Sequence, residues 1–570
     1  SIGGDIERVD LGALEAFYGG IVRKPSADTN VKHNEYTEPT GSNGIAIAPS
    51  NTLNHHALLL INPHTSFFFR SELQMTSDEG LNVYGAVTWG QFFVYQGFNP
   101  RLGWMHTSSG VDAVDEYLET VTEKGGRFFY KYGNEERPLA TRKIIVPYKT
   151  TNGTAVKEFT VFRSEHGPVI RQENGKWVAI HLMQEPLKAL MQSYSRTKAH
   201  DYQSYREAME LHANSSNNTI YADADGNIAY FHANYIPKRN SHFDWTRPVD
   251  GSDPATDWGT LMTLDETPHL LNPTSGWVYN CNDWPWSAAG SGSLRREDFP
   301  RYVEGGKEES PRGVHAIGLL QNKEDYTIES LNAAAYDTYM PAFARMIPAL
   351  LRAYDQTTNT DETKSNISGQ IKLLRSWDYR WSVDSVPTTL AVFWGEAVGR
   401  RLSAEAGRAE MSPELYVATK ASPGPLLQSL AEASEKLASD FGTWKMPWGN
   451  INRFQRLSND IVHPFNDAGS SIPVGFTSAR WGSLASFGAH AYPGTKKWYG
   501  TSGNSFVAIV EFGNNVRAKA VTAGGESGDF NSRHFNDEAE RYSTGALRDV
   551  YFYRSQLKGH TERTYKPGKL

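Results

Sequence analysis

A serine that opens a strand is the strongest chemical signal in this chain. In Gly41-Ser42-Asn43-Gly44-Ile45-Ala46-Ile47-Ala48 a small Gly-Ser junction leads straight into an alternating run. The apolar segment Ala57 to Ile61 reads as the second strand of a hairpin and ends in Asn62-Pro63-His64. A serine hydroxyl is a weak nucleophile and needs an adjacent base, and no Ser-His-Asp arrangement is legible around Ser42. A free α-amino group titrates near pH ~8, which suits proton transfer close to neutrality. If Ser42 is an N-terminus, one residue carries both nucleophile and base. If it is not, Ser42 is an ordinary turn residue before a strand.

Other residues fall in an order that a hydrolytic site could use. His64 closes the hairpin. Gly103-Trp104-Met105-His106-Thr107-Ser108 lies in a mainly β stretch, and Gly276-Trp277-Val278-Tyr279-Asn280-Cys281-Asn282-Asp283-Trp284-Pro285 in a stretch that reads as loops. Asn280 there has the character of an Asx-turn residue. Arg312 precedes the apolar run Val314 to Leu320. The acidic turn Asp112-Ala113-Val114-Asp115 lies just beyond Ser108.

Taken together, these motifs resemble the nucleophile-bearing chain of the penicillin acylase family of N-terminal nucleophile (Ntn) hydrolases. The resemblance runs over about 42–570. It includes His166-Gly167-Pro168, Ala222 to Ile228, Gly525-Glu526-Ser527-Gly528 and Ser532-Arg533-His534-Phe535. It implies self-cleavage at Gly41–Ser42 and hydrolysis of an N-acyl amide through an acyl-Ser42 intermediate. It implies an oxyanion hole made of the Ser108 backbone N–H and the Asn282 side-chain amide. Ser108 stands where relatives usually have Ala or Val, and Asp283 where many have a second Asn. His64 is implied to orient the nucleophile or acyl group, and Arg312 to orient the Asn282 loop. Phe67, Phe68, Phe69 and Trp89 are the expected acyl-pocket residues.

The resemblance also implies a structural calcium on Asp112, Asp115 and the Val114 carbonyl, with Ser293 in place of a distant aspartate ligand. Hard oxygen donors suit that ion. No catalytic cofactor is expected. Two substrate classes compete: His64 leans towards N-acyl homoserine lactones, and the Asp-x-Val-Asp pattern towards aromatic β-lactam side chains. The alternative from another class is an unprocessed, inactive relative that binds ligands in the envelope. Ser1 as the operative N-terminus is a third option, disfavoured because no strand follows it. Relatives of this type are exported, so a periplasmic or secreted bacterial location and a separate upstream α chain are expected.

The elements around these residues set the fold class. Val9 to Tyr18 has helical spacing, and 24–41 is a polar linker. Residues 1–41 therefore read as an upstream tail and spacer, with the catalytic body at 42–570. Alternating runs such as Lys143 to Tyr148 and Glu158 to Arg163 make 42–240 mainly β. Asp225-Gly226 is a hairpin signal. Residues 241–325 are rich in Gly, Pro, Ser and Trp and read as loops; 326–442 is helical by period, and 445–570 returns to strands. Strands segregated from helices argue α+β, and the resemblance makes this a four-layer αββα sandwich with a helical lobe at about 326–442.

Composition excludes several partners. The chain has 570 residues and a formal net charge of -7, so nucleic acid and anionic membranes are poor partners. One cysteine, Cys281, rules out an internal disulfide. No apolar run is long enough for a membrane span, and the opening Ser1-Ile2-Gly3-Gly4-Asp5 lacks the features of a signal peptide.

Overall fold

The computed structural model describes residues 9–19 and 41–566, apart from 69, 89, 307, 359–361 and 461, together with 568. The strands that position the site are β1 (Gly41–Ile47), β2 (Ala57–Ser66), β3 (Leu102–Ser108), β4 (Asn217–Asp223), β5 (Trp277–Asn280), β6 (Trp498–Asn504) and β7 (Phe506–Phe512). The helices are α1 (Leu11–Phe17), α2 (Tyr202–Met209), α3 (Pro311–Leu320) and α4 (Ile328–Ala335).

Alternation within β1 and β2 builds two cores at once. The hairpin is antiparallel, with Ser42 opposite Pro63 and Gly41 opposite His64. Ile45, Ile47, Leu58 and Leu60 face α3 and α4, burying Ala316, Leu320, Ile328 and Leu331. Ala46, Leu59 and Ile61 face the other way, onto Met105, Ile220 and Tyr230 of a second sheet. A strand buried on both faces reads as a continuous apolar run, as Ala57 to Ile61 does. β1 also pairs with β5, and β2 with β6 and β7.

The second sheet holds β3 and β4 at its centre, with Asn82–Thr88 and Ile228–Phe231 further out. Its outer face packs Trp104 and Tyr221 against Tyr205 and Met209 of α2. That helix starts at a capping box, in which Asp201 Oδ1 accepts the Ser204 N–H at 2.8 Å and Ser204 Oγ accepts the Asp201 N–H at 3.2 Å. The layers are therefore helix, sheet, sheet, helix: an αββα sandwich of α+β class.

The helical region divides in two. α4 belongs to the sandwich, because Ile328, Leu331, Ala334 and Ala335 are buried on the first sheet. The helices Pro341–Gln356, Val386–Arg408 and Pro423–Phe441 bury Phe343, Leu350, Leu390, Trp394 and Leu430 in a core of their own. The run expected from Leu331 to Tyr354 is broken at Tyr336 to Met340, where Pro341 starts a new helix from its first turn. α3 lies inside the stretch read as loops. Ser310 caps it by accepting the Gly313 N–H at 3.1 Å, and Pro311 fills the first position.

α1 forms where its spacing predicts. Asp10 Oδ1 caps it by accepting the Gly12 and Ala13 N–H groups at 2.9 and 3.0 Å. It packs away from the sandwich, on a peripheral sheet: Phe17 meets the Trp177 ring at 5.1 Å, and the Tyr18 hydroxyl donates to Val169 O at 2.8 Å. The spacer at 24–40 lies outside the described residues. The strands Ala140–Thr150 and Gly153–Ser164 extend that sheet as a largely exposed ribbon.

Truncating the inter-sheet core should cost far more than trimming the ribbon. Leu59→Ala leaves a cavity between two sheets and should destabilise by ~2–5 kcal/mol. Ile145→Ala, at a side 61% exposed, should stay within ~0.5 kcal/mol. Denaturant midpoints of the two variants check the contrast.

Candidate active site

The site forms where β1 and the loop after β5 meet a single guanidinium. Ser42 is the second residue of β1, near its open end. Arg312, at the start of α3, donates from Nη1 to Ser42 O at 2.9 Å and Asn43 Oδ1 at 2.8 Å, and from Nη2 to Asn282 Oδ1 at 2.8 Å. The Ser42 backbone N–H donates to the same Asn282 Oδ1 at 2.8 Å. Asn282 Nδ2 in turn donates to Ser108 O at 3.0 Å. Ser42, Asn282, Ser108 and Arg312, far apart in sequence, are thus one connected group. The Ser42 hydroxyl is hydrogen-bonded to Gly41 O across the junction itself.

Local backbone explains each placement. Asn282 has φ 68°, a left-handed conformation that Asn tolerates better than most residues. Its N–H donates to Asn280 Oδ1 at 2.8 Å, the Asx turn expected of Asn280. Asp283 is buried beneath the first turn of α3 and accepts the Ser310 N–H, tying the loop to the helix that carries Arg312. Burial pushes the Asp283 carboxyl up to about 6, against the opposing pull of Ser310 and Arg312.

Ladder geometry orients Ser108. The Ser109 N–H donates to Ser216 O at 2.9 Å, so Ser109 and Ser216 form a hydrogen-bonded pair. In an antiparallel ladder the preceding residue then turns its N–H and C=O to the opposite edge. The neighbouring strand Gln96–Phe98 pairs with β3 only at Gly103 and Trp104. The edge at Ser108 therefore faces Asn282, whose Nδ2 donates to Ser108 O.

His64 stands beside the junction but does not contact the Ser42 hydroxyl. Its Nε2 is 3.1 Å from Asn62 Oδ1 and 3.3 Å from Asn43 Nδ2. Burial first, and the Arg312 charge second, hold the imidazole well below its ordinary value, so it is neutral.

Several residues of the site carried no signal in the sequence. Asn43 Nδ2 donates to Asn62 Oδ1 at 2.9 Å and Leu484 O at 2.8 Å while its Oδ1 takes Arg312. Asn218 Nδ2 lies 3.2 Å from both Thr107 Oγ1 and Asn280 Oδ1 and 3.3 Å from Ser108 O. The Tyr230 hydroxyl donates to Asn218 Oδ1 at 2.8 Å. Scattered asparagines read as turn formers; only the fold gathers them.

The expected acyl-pocket residues separate. Phe67 is 1% exposed and belongs to the helix-side core, with its ring 5.9 Å from Phe487 and 5.7 Å from Tyr542. Phe68 has φ 68°, is partly buried, and lies 4.7 Å from the His463 ring and 4.4 Å from the Arg456 guanidinium. Phe69 and Trp89 lie outside the described residues. Cys281 is fully buried in the core, and burial pushes its thiol up, which removes it as a rival nucleophile.

The residues expected to hold calcium do not fit that ion. The Asp115 carboxylate receives Arg239 Nη1 at 2.7 and 2.9 Å and the Trp258 Nε1–H. Arg239 Nη2 donates to the Asp112 backbone oxygen. Val114 packs against Ile170, Val178 and Ile180, and Ser293 Oγ accepts the Ala289 N–H at 2.8 Å. A buried guanidinium already stands where the two carboxylates converge. Among the described residues no group of three or more His, Cys, Asp or Glu is arranged to hold a metal, and no helix is long and apolar enough to cross a membrane.

Comparison with known proteins agrees with this geometry. A thermostable penicillin G acylase from Alcaligenes faecalis shares the fold at a TM-score of 0.68 and 17% identity, over 92% of this chain and 99% of that chain. Penicillin G acylase of Escherichia coli is 27% identical over 259 residues, 43% of this chain and 29% of the relative's length. The acyl-homoserine lactone acylase PvdQ of Pseudomonas fluorescens (strain Pf0-1) is 22% identical over 594 aligned positions, 93% of this chain and 71% of the relative. The family model for penicillin amidase matches residues 9–559. The chain therefore belongs to the penicillin amidase family of N-terminal nucleophile amidohydrolases.

Proposed function

We propose that this chain hydrolyses N-acyl amides with Ser42 as nucleophile, after cleavage of its own Gly41–Ser42 bond. The observation that carries the reading is the shared acceptor Asn282 Oδ1, which holds the Ser42 nitrogen and Arg312 together while Nδ2 of the same side chain reaches Ser108.

Maturation begins when Ser42 Oγ adds to the Gly41 carbonyl carbon and the peptide C–N bond breaks. The acyl group passes from nitrogen to oxygen while the Oγ proton passes to nitrogen, which frees the Ser42 amine; water then hydrolyses the ester, releasing the Gly41 carboxylate and restoring the Ser42 hydroxyl. Catalysis repeats the chemistry on a substrate. Ser42 Oγ adds to the amide carbon, and its proton passes through the α-amine to the leaving nitrogen. The C–N bond breaks and the amine departs. Water, deprotonated by the same amine, attacks the acyl-Ser42 ester; the acid leaves and the proton returns to Oγ. The Ser108 N–H and the second Asn282 Nδ2 proton stabilise the oxyanion in both halves. Arg312, beside the amine, disfavours its ammonium form and keeps the base unprotonated.

The substrate class favoured is an N-acyl homoserine lactone or similar aliphatic amide. His64 supports this, as does the long alignment with a protein named as an acyl-homoserine lactone acylase. The Asp112–Asp115 pattern no longer leans towards an aromatic acyl group, because Arg239 occupies it. Hydrolysis of hexanoyl to dodecanoyl homoserine lactones against phenylacetyl amides tests the assignment. The proposal includes a separate upstream chain from the same precursor and an exported enzyme; this chain aligns over 71% of that relative's length. The unprocessed, binding-only alternative is tested by intact mass: a chain that never loses residues 1–41 would uphold it.

Ser42→Ala should stay uncleaved and inactive. Gly41→Ala should slow cleavage, because a Cβ there would lie 2.2 Å from Asn282 Oδ1 and 2.9 Å from Arg312 Nη2. Mass spectrometry over a time course separates arrest from delay.

Asn282→Ala should keep the fold and lower kcat by ~10²–10³-fold, the loss typical of one oxyanion donor. A kcat within about twofold of the wild type would remove Asn282 from that role.

The pH profile assigns the base. Rate should fall as acid protonates the Ser42 amine, whose ordinary value lies near ~8 and which the nearby Arg312 charge should displace downward. His64 is held well below its usual range and stays neutral across that limb. His64→Gln should therefore leave the acid limb of kcat/KM in place; a limb that moves or vanishes would make His64 the titrating group.

A further inference from the structure

The Asp112–Asp115 turn has the acidic residues of a cation site and holds a different cation. Arg239 lies 124 residues from Asp115 in sequence, and its side chain is 0% exposed, against 1% for Asp115 and 17% for Asp112. Nη1 donates to Asp115 Oδ1 and Oδ2 at 2.7 and 2.9 Å and lies 3.5 Å from Asp112 Oδ2. Nη2 donates to the Asp112 carbonyl and, at 3.1 Å, to Tyr302 O. The Tyr302 ring centroid is 4.5 Å from the guanidinium carbon and that of Trp245 5.4 Å, so aromatic faces line its flanks.

We propose that the Arg239 guanidinium takes the seat of a metal ion, bracing the turn between Ser108 and the peripheral sheet without any metal. Two independent features carry this. Carboxylate and carbonyl oxygens of the kind a hard cation would take gather on the two terminal nitrogens of one guanidinium, and that guanidinium is a fully buried positive charge. A second cation a few ångströms away in a low-dielectric interior would be strongly repelled. Arg keeps its charge under all ordinary conditions, so the brace is permanent, and it should not respond to calcium supply.

The proposal makes opposite demands on two proteins. In the wild type, excess chelator and millimolar calcium should both leave Tm unchanged, and elemental analysis should find no stoichiometric metal. Arg239→Ala leaves the Asp115 carboxylate buried without its partner and should lower Tm by roughly 5–10 °C. It also opens the seat, so millimolar calcium should raise its Tm, and Asp115→Asn added to Arg239→Ala should abolish that response. Should Arg239→Ala fail to fold, the wild-type measurements decide, together with Arg239→Lys, which should fold and stay indifferent to calcium. Stoichiometric calcium in the wild type, a chelator-dependent Tm, or an Arg239→Ala protein that calcium does not stabilise would each overturn the proposal. None of these readouts depends on acylase activity, so they stand apart from the functional assignment.

Discussion

One buried charge organises the site. Arg312 is 4% exposed, and each hydrogen bond to such a charge is stronger than a neutral one. Its acceptors come from β1 and from the loop after β5, while the residue itself belongs to the helical layer. Burying a guanidinium costs several kcal/mol unless it is satisfied, so the structure that forms must bring these acceptors to it. The charge also sets the chemistry around it. Burial first, and this charge second, hold the neighbouring His64 well below its ordinary value.

The four layers exist to hold that meeting point steady. β1 and β2 are buried on both faces, so neither can slip by one residue without exchanging its two apolar faces. The two faces of β1 are not equivalent in size: Ile45 and Ile47 lie on the helix side, and Ala46 with Gly44 towards the second sheet. A Cβ on Gly44 would lie 2.8 Å from Ile220 Cγ1 and 3.0 Å from Met105 Cγ. Two residues from Ser42, the second sheet thus comes close enough to leave no room for a side chain. That closeness lets a side chain from the loop after β5 reach the end of β3.

Much of this was legible in the chain itself. The hairpin read from local pattern, while Ser108, the Asn282 loop and Arg312 were picked out by the family resemblance, and the structure joins them. Phe67 misled because an aromatic run has the same composition whether it lines a pocket or fills a core. The acidic turn misled for a different reason. A motif names the residues that present oxygens, but the counter-charge arrives from 124 positions away, by topology. The same holds for Asn43, Asn62 and Asn218. An asparagine in isolation points to a turn, and nothing local shows that it will lie between strands. α3 was hidden by the Pro and Gly around it, although Ser310-Pro311 is itself a helix start.

Those asparagines do what the apolar layer between the sheets cannot. Contacts such as Leu59 on Met105 are non-directional, and a shift of a few tenths of an ångström changes them little. The contact between Asn282 Nδ2 and Ser108 O tolerates no such drift, because the two residues come from the loop beyond β5 and from β3, which belong to different sheets. Thr107 Oγ1 donates to Asn280 Oδ1 at 2.6 Å, directly across that boundary. Asn218, on β4, lies within 3.3 Å of Thr107, Asn280 and Ser108 together. Its own oxygen is fixed by Tyr230 and approached at 2.8 Å by His232 Nδ1. Thr107, Asn218, Tyr230, His232 and Asn280 are buried, so breaking any one of the bonds among them strands a polar group. Directional bonds with that penalty hold the spacing between Ser108 and Asn282. The apolar layer behind them supplies the stability that keeps the two sheets together.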